Sequence, residues 1–249
     1  MNQTFDLEGR RALVTGSATG IGRAVSEALA EAGCAIVAHG LGDVAEVAAQ
    51  WRSRGYTVAE SRADLGQSLG VATLQADLAT WGAPDILVLN ASVEVLQDWR
   101  QVDEQALVLQ TTVNMESSLR LLQAFVPAML ARGWGRVIAM GSVQEERPNP
   151  QHFVYAATKA AQTHMILNMA CHAAQADVTF NIVKPGAIAT DRNRARLADP
   201  AVHSAVTERI PLGRIGEPKD CVGAVMLLCS EAGAYINGAE LAVDGGLRL

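Results

Sequence analysis

The chain has 249 residues, of which 49% are hydrophobic and 22 are glycine, and its formal net charge is −6. This length can bury one sizeable core, and the sequence shows no linker, repeat or low-complexity tract, so we expect a single domain over residues 1–249. The negative charge argues against nonspecific nucleic-acid binding. Because the sequence shows no signal peptide and no long apolar run, we expect a soluble, cytoplasmic protein that does not bind membranes.

Strands and helices are predicted to alternate along the chain. Short runs rich in Val, Ile and Leu are typical of buried strands: RALVTG, AIVAHG, TVAES, DILVLNA, RVIAMGS, VTFNIVKPG and AELAVDGG. Helical periodicity falls between them, at residues 20–32, 43–54, 103–132 and 152–175. This order predicts an α/β fold with a doubly wound, mainly parallel sheet of about seven strands flanked by helices. Such sheets bind ligands beyond the carboxyl ends of their strands.

The first strand is followed by a glycine-rich turn, TGSATGIGRA, that leads into a helical segment. Gly16, Gly20 and Gly22 would permit a tight turn, close approach of the backbone to a pyrophosphate, and close packing of helix on strand. Free N–H groups at the helix start favour a phosphate anion there. The turn therefore predicts a dinucleotide site, and the alternative is a strand-helix turn without a ligand.

The string TGSATGIG resembles the TGxxxGIG cofactor turn of the short-chain dehydrogenase/reductase family. The strings ADL, DILVLNAS, PGAIAT, RIGEP and VDGG extend the resemblance over nearly the whole chain. It implies a Rossmann-like fold that binds NAD or NADP. Ser92 departs from the pattern, since the family has glycine there. The cofactor residues implied by the resemblance are Gly16, Ser17, Thr19, Gly20, Ile21, Gly22, His39, Gly40, Asp64, Leu65, Asn90, Ala91, Ser92, Tyr155, Lys159, Pro185, Gly186, Ile188 and Thr190.

The end of the second strand bears on the choice between NAD and NADP. An acidic side chain there accepts hydrogen bonds from the ribose hydroxyls of NAD, whereas an arginine pairs with the 2′-phosphate of NADP. The sequence places His39 and Gly40 at this point, and no Lys or Arg at residues 17–19. Asp43 fits a helix cap better than a ribose contact. We therefore favour NAD, with NADP as the alternative.

A second group of residues matches the catalytic tetrad of the family by motif and order: Asn114, Ser142, Tyr155 and Lys159. Ser142 ends the fifth strand, and Tyr155 and Lys159 lie four residues apart, which places them on one helix face. An ammonium about 5 Å from a phenol stabilises the phenolate by roughly 3 kcal/mol, or about two pKa units. We therefore expect Tyr155 to act as the general acid/base and Lys159 to lower its pKa. Asn114 would support a water in a proton relay.

Substrate residues are expected in the loops after the fourth, fifth and sixth strands and in a lid at about 187–210. Glu94, Gln144, His152 and Asn193 would suit the hydroxyl groups of a sugar, and glucose 1-dehydrogenases of the family carry a glutamate near the position of Glu94. The arginines of these loops could instead attract an anionic group on the substrate: Arg147, Arg192, Arg194 and Arg196. A short lid favours a small polar secondary alcohol or an aldose.

Two other functions remain open at this point. One is a 3-oxoacyl-thioester reductase that uses NADPH, and the other is a dinucleotide-binding regulatory protein without turnover. The four cysteines and five histidines show no metal-ligand spacing, so no metal site is expected. The resemblance implies a homotetramer in which the helices at about 103–132 and 152–175 pair between subunits.

Overall fold

All seven predicted strands are present in one parallel sheet. The computed structural model describes residues 3–174 and 177–249, and its strand order is β3-β2-β1-β4-β5-β6-β7. The strands are β1 (Arg11–Val14), β2 (Ala35–His39), β3 (Val58–Ser61), β4 (Ile86–Leu89), β5 (Trp134–Met140), β6 (Asp177–Pro185) and β7 (Glu240–Val243). The single-domain, Rossmann-like α/β fold predicted from the alternating pattern is therefore confirmed.

The central strands are buried on both faces, which explains their continuous apolar runs. Alternate side chains contact different halves of the core: Val88 packs with the helices on one face and Leu87 with those on the other. Both side chains are fully buried. A strand covered by helices on both sides has no solvent-exposed face, so its sequence does not alternate between polar and apolar residues.

Nine α-helices occur in the part of the chain that the structure describes. They are α1 (Gly20–Glu31), α2 (Val44–Ser53), α3 (Gly70–Asp77), α4 (Glu104–Thr111), α5 (Ser117–Arg132), α6 (Phe153–His172), α7 (Asp191–Leu197), α8 (Pro200–Thr207) and α9 (Val222–Cys229). The helix predicted at 152–175 ends at His172, and position 175 lies outside the described residues. None of the described helices is long and apolar enough to cross a membrane.

The helix predicted over 103–132 is interrupted in its middle. A π-helical turn, Thr112–Glu116, separates α4 from α5. The wider turn inserts an extra residue into the helical repeat, and such insertions occur frequently at functional sites. Asn114 lies in this turn and is fully buried. The interruption therefore falls on a residue assigned to the tetrad from the sequence.

The topology brings the predicted motifs to one edge of the sheet. β1 pairs with β2 on one side and with β4 on the other, so the strand order reverses at β1. The glycine turn follows β1, Asn90 follows β4, and Ser142 lies two residues beyond β5. All three lie beyond carboxyl ends of parallel strands, where a crevice forms in sheets of this kind.

Candidate active site

A cavity of about 870 Å³ opens along this edge of the sheet. Ser142, Tyr155 and Lys159 line it, as do all four predicted substrate residues, Glu94, Gln144, His152 and Asn193. Most of the predicted cofactor residues also line it: Gly16, Thr19, Gly20, Ile21, His39, Gly40, Asp64, Leu65, Asn90, Ala91, Ser92, Pro185, Gly186, Ile188 and Thr190. Ser17, Gly22 and Asn114 do not line the cavity and lie behind its wall.

The glycine turn has the geometry needed to approach a phosphate group. Gly16 and Gly20 have φ of 67° and 54°, a region that favours glycine. A Cβ atom at Gly22 would lie 2.4 Å from the carbonyl oxygen of Gly16, so only glycine lets α1 pack this closely. Thr19 precedes α1 without capping it through its side chain, which leaves the first N–H groups of the helix available. These residues fit the pyrophosphate of a dinucleotide.

Two buried hydroxyl groups fix the turn to the sheet. Thr15 Oγ1 accepts hydrogen bonds from the N–H groups of Asn90 and Ala91, at 3.0 and 2.9 Å, and so joins β1 to the loop after β4. Ser17 Oγ donates to the Val37 carbonyl at 2.7 Å. The Ser17 side chain is fully buried, so any effect of this residue on a dinucleotide would come through the position of the turn.

The side chain of His39 lies beneath the glycine turn. Its Nδ1 accepts a hydrogen bond of 3.0 Å from the Gly16 N–H, so the ring is neutral in this arrangement. The side chain is almost wholly buried, and burial lowers the pKa of His39 to about 4. His39 thus supports the turn from below, although the sequence suggested a position beside the ribose.

Ser142 is held by a capping box that the sequence contains as S-x-x-E. Ser142 Oγ accepts from the Gln144 N–H at 3.1 Å, and the Ser142 N–H donates to Glu145 Oε1 at 2.6 Å. The buried carboxylate of Glu145 also pairs with Lys184 at 3.3 Å. Glu145 was not singled out from the sequence, although its spacing from Ser142 is the signal that identifies it.

Tyr155 and Lys159 both lie at the cavity wall and are buried. Lys159 Nζ donates to the Met140 carbonyl at 2.7 Å and to Gln162 Oε1 at 3.2 Å. Burial lowers the pKa of Lys159 to about 7, and the nearby Arg192 adds to the lowering. Burial also raises the pKa of Tyr155, and Arg192 and the Ser142 hydroxyl oppose it only partly. The predicted lowering of the Tyr155 pKa by Lys159 is therefore not found here, since desolvation of the phenolate outweighs the nearby charges.

Asn114 clamps the loop after β4 to α6. Its Oδ1 accepts from the Val93 N–H at 2.8 Å, and its Nδ2 donates to the Val93 carbonyl at 2.9 Å and to Thr158 Oγ1 at 3.0 Å. These bonds occupy both ends of the side-chain amide. The contacts in the structure are structural ones, and the predicted support of a relay water stays a prediction.

Glu94 and His152 form a direct pair beside Tyr155. His152 Nε2 lies 2.6 Å from Glu94 Oε1, and the rings of His152 and Tyr155 meet edge to face at 6.2 Å. Burial alone would raise the pKa of Glu94, but the hydrogen bond and charge of His152 outweigh it, so the pKa lies below its usual value. Two residues predicted separately as substrate contacts thus form one hydrogen-bonded pair.

One arginine of the predicted lid contacts the loop after β4. Arg192 of α7 donates to the Ser92 carbonyl and, at 3.1 Å, to Ser92 Oγ. The serine that departs from the family pattern thus supplies a lid contact that glycine lacks. Asn193 holds the lid backbone, because its Nδ2 donates to Ile188 at 2.7 Å and its Oδ1 accepts from the Thr190 N–H at 2.9 Å. Gln144 keeps its buried Oε1 without a partner in the described structure.

The fold and this site define a class of protein. A doubly wound parallel sheet places a glycine turn and the group of Ser142, Tyr155 and Lys159 at one cavity, which is the arrangement of a nicotinamide-dependent oxidoreductase. A family model described as Enoyl-(Acyl carrier protein) reductase matches residues 16–248. The chain belongs to the short-chain dehydrogenase/reductase family.

Relatives and solved structures match over almost the whole chain. D-erythrulose reductase of Gallus gallus is 33% identical, over 99% of this chain and 98% of its own. The structure of a 3-oxoacyl (acyl-carrier-protein) reductase from Agrobacterium tumefaciens with NADP bound is 38% identical, with a TM-score of 0.93 and coverage of 98% and 96%. A gluconate 5-dehydrogenase from Burkholderia cenocepacia, in complex with NADP and tartrate, is 35% identical, with a TM-score of 0.93 and coverage of 98% and 97%.

These comparisons support a nicotinamide cofactor. They give no support to the preference for NAD that the sequence suggested, because the two bound structures named above hold NADP. The cofactor-binding and catalytic roles of the individual residues stay predictions, to which the cavity geometry adds a spatial arrangement.

Proposed function

We propose that the protein interconverts a hydroxyl and a carbonyl group on a small polyol, sugar or sugar acid, with a nicotinamide dinucleotide as hydride acceptor or donor. The observation that carries this proposal is the Glu94–His152 pair at 2.6 Å in the wall of the cavity that Tyr155 lines. A half-buried carboxylate near Tyr155 suits a substrate with a second hydroxyl group, which can donate a hydrogen bond to it. The names of the relatives, which include a ketose reductase and gluconate dehydrogenases, support the same substrate class.

Each group of residues at the cavity has a role that follows from its position. The glycine turn and the start of α1 would hold the pyrophosphate, and the bound dinucleotide would supply hydride transfer. In the oxidative direction, Ser142 positions the substrate oxygen and Tyr155 takes the hydroxyl proton. Burial raises the pKa of Tyr155, so the phenol carries its proton at neutral pH and can donate it to a carbonyl when the reaction runs in the reductive direction.

The proposal is tested by following absorbance at 340 nm over a matched panel, with NADP or NAD for the alcohols and NADPH or NADH for the carbonyl compounds. The panel contains ketoses, pentitols, hexonates, each corresponding deoxy compound, and a 3-oxoacyl thioester. We expect the highest kcat/KM on a polyol, ketose or sugar acid, with at least about a tenfold loss when the hydroxyl next to the reacting carbon is removed. Preference for the acyl thioester would favour the reductase alternative, and no turnover on any compound would favour a regulatory protein.

We propose a homotetramer in which the α4–α5 segment and α6 pair between subunits. Large apolar side chains are exposed on these helices, including Val108 (53%), Leu119 (46%) and Phe153 (59%). Exposed apolar side chains on neighbouring helices are typical of a surface that is covered in an assembly. Light scattering after size exclusion should give four times the chain mass of 26.3 kDa, and Leu119→Glu should lower it.

We propose that the protein works in the cytoplasm. Its four cysteines are all free, and Cys171 is exposed while the other three are buried. Unpaired cysteines with an exposed thiol suit a reducing compartment. Fractionation of the source cells should recover the protein with the cytosolic fraction, and recovery from an oxidising compartment would contradict this.

A further inference from the structure

The adenosine end of the cavity has little room for a recognition side chain on the second strand. β2 ends at His39, which supports the glycine turn, and Gly40 follows it. A Cβ atom at Gly40 would lie 3.2 Å from the Cβ of Ala18, closer than ordinary contact. This contact disfavours a side chain at Gly40, so a charged group that contacts the ribose is better supplied by a neighbouring element.

Arg62 lies on that neighbouring element. The sheet register pairs His39 of β2 with Ser61 of β3, so Arg62 is the first residue beyond the sheet, beside Gly40. The exposed guanidinium donates from Nε and Nη2 to the Leu41 carbonyl, at 3.3 and 3.2 Å. Leu41 lines the cavity. Arg62 is not itself one of the lining residues, so the contact holds a cation next to the cavity lining, at a place where β2 provides none.

This cation is not neutralised by the protein. Within residues 3–174 and 177–249, Arg62 has no carboxylate at ion-pair distance, and its acidic neighbours in the sequence are engaged elsewhere. Glu60 pairs with Arg52 at 2.5 Å, and Asp64 accepts from the Gly66 N–H at 2.9 Å. Two N–H groups of Arg62 share one carbonyl, and the planar fork has three more to offer. An exposed, unneutralised guanidinium with free donors suits an anion such as a phosphate group.

We propose that Arg62 is the specificity-determining residue that binds the 2′-phosphate of NADP. The inference rests on the proposed function, because it concerns the dinucleotide that the enzyme uses. The sequence suggested NAD because no basic residue follows β2; in the folded chain a basic residue reaches the same place from β3. The 2′-phosphate is a dianion that the guanidinium can bind through two parallel hydrogen bonds. NAD lacks this group and gains nothing from Arg62.

The test compares the dissociation constants of NADPH and NADH, measured by titration of nucleotide fluorescence at fixed ionic strength. The variants are Arg62→Leu, Arg62→Lys and the matched control Arg52→Leu, which removes another exposed arginine of the same region. We expect Arg62→Leu to weaken the binding of NADPH by about 10- to 100-fold, the range of a hydrogen bond to a charged group. The affinity for NADH should change less than about twofold, and Arg52→Leu should affect the binding of neither nucleotide. Arg62→Lys should retain part of the preference, because it keeps the charge.

Competition by 2′-AMP and 5′-AMP separates the phosphate from the rest of the nucleotide. Arg62→Leu should lose most of its affinity for 2′-AMP and keep that for 5′-AMP. An unchanged ratio of NADPH to NADH affinity would overturn the proposal, as would equal weakening of both, which would assign Arg62 to the structure of the loop. If the wild type binds neither dinucleotide, both this inference and the proposed function fail. If it binds NADH alone, only this inference fails.

Discussion

Replacing His39 by asparagine should change how the stability of the protein depends on pH. The ordinary pKa of histidine is 6.5, and burial lowers that of His39 to about 4. Between these values the unfolded chain takes up a proton that the folded protein excludes. The free energy of unfolding is therefore highest above pH 6.5 and falls as the pH drops towards 4. The difference between these two pKa values corresponds to roughly 3 kcal/mol of unfolding free energy, at 1.36 kcal/mol for each pKa unit.

The asparagine variant isolates this contribution from the hydrogen bond. Its Oδ1 can occupy the position of Nδ1 and accept from the Gly16 N–H, which His39 now does at 3.0 Å, but it does not titrate. His39→Leu removes the acceptor as well and leaves a buried N–H without a partner, which costs about 1–3 kcal/mol at any pH. The leucine variant should also bind dinucleotides more weakly, because the glycine turn loses its support.

Urea unfolding followed by circular dichroism, at pH 7.5, 6.5, 5.5 and 4.5, measures the free energy of unfolding of each variant. The difference between wild type and His39→Asn should shift by about 2–3 kcal/mol across this range, with the wild type losing more stability at low pH. A difference that stays constant from pH 7.5 to 4.5 would refute the account of a buried, neutral His39.

Three further variants test other parts of the site. Glu94→Gln should raise KM for the sugar or polyol about tenfold, which is the effect of losing one hydrogen bond to a charged group. The dissociation constant of the dinucleotide should stay unchanged. An unaltered KM in steady-state kinetics would contradict the role of the Glu94–His152 pair. Gly22→Ala should weaken the binding of both dinucleotides more than about tenfold in fluorescence titrations, because the new Cβ would lie 2.4 Å from a backbone oxygen. Gly223→Ala is the control, since a Cβ there meets no atom within 4 Å. Ser92→Gly should raise KM by about two- to fivefold through loss of one lid hydrogen bond, with kcat nearly unchanged; equal kinetics of variant and wild type would show that the serine does not steady the lid.

The strands could be predicted from the sequence because parallel strands buried on both faces have continuous apolar runs. The helix α3 was not predicted, since Gly70–Asp77 is short and its apolar residues do not follow a clear helical period. The π-helical turn at Thr112–Glu116 was also missed. Asn114 in this turn makes tertiary contacts with Val93 and Thr158, which no local pattern contains.

The residue types of the site could be predicted from motifs at strand ends, but their contacts could not. His39 was placed beside the ribose from its position in the sequence, and only the fold shows that its ring contacts Gly16. Glu94 and His152 are separated by the long α4–α5 segment and β5, so their pairing requires the sheet that joins them. The direction of the Tyr155 pKa was predicted from one nearby charge, whereas burial in the folded chain decides it.

The central claim is that Tyr155 exchanges a proton with the substrate in an oxidoreductase reaction. The most direct measurement is kcat of Tyr155→Phe on the best substrate of the 340 nm panel, together with its dissociation constant for NADPH. Tyr235→Phe is the matched control, because that side chain is fully exposed. We predict a fall in kcat of at least about 100-fold for Tyr155→Phe, with NADPH binding retained and the control fully active. A Tyr155→Phe variant with near wild-type turnover would contradict the account.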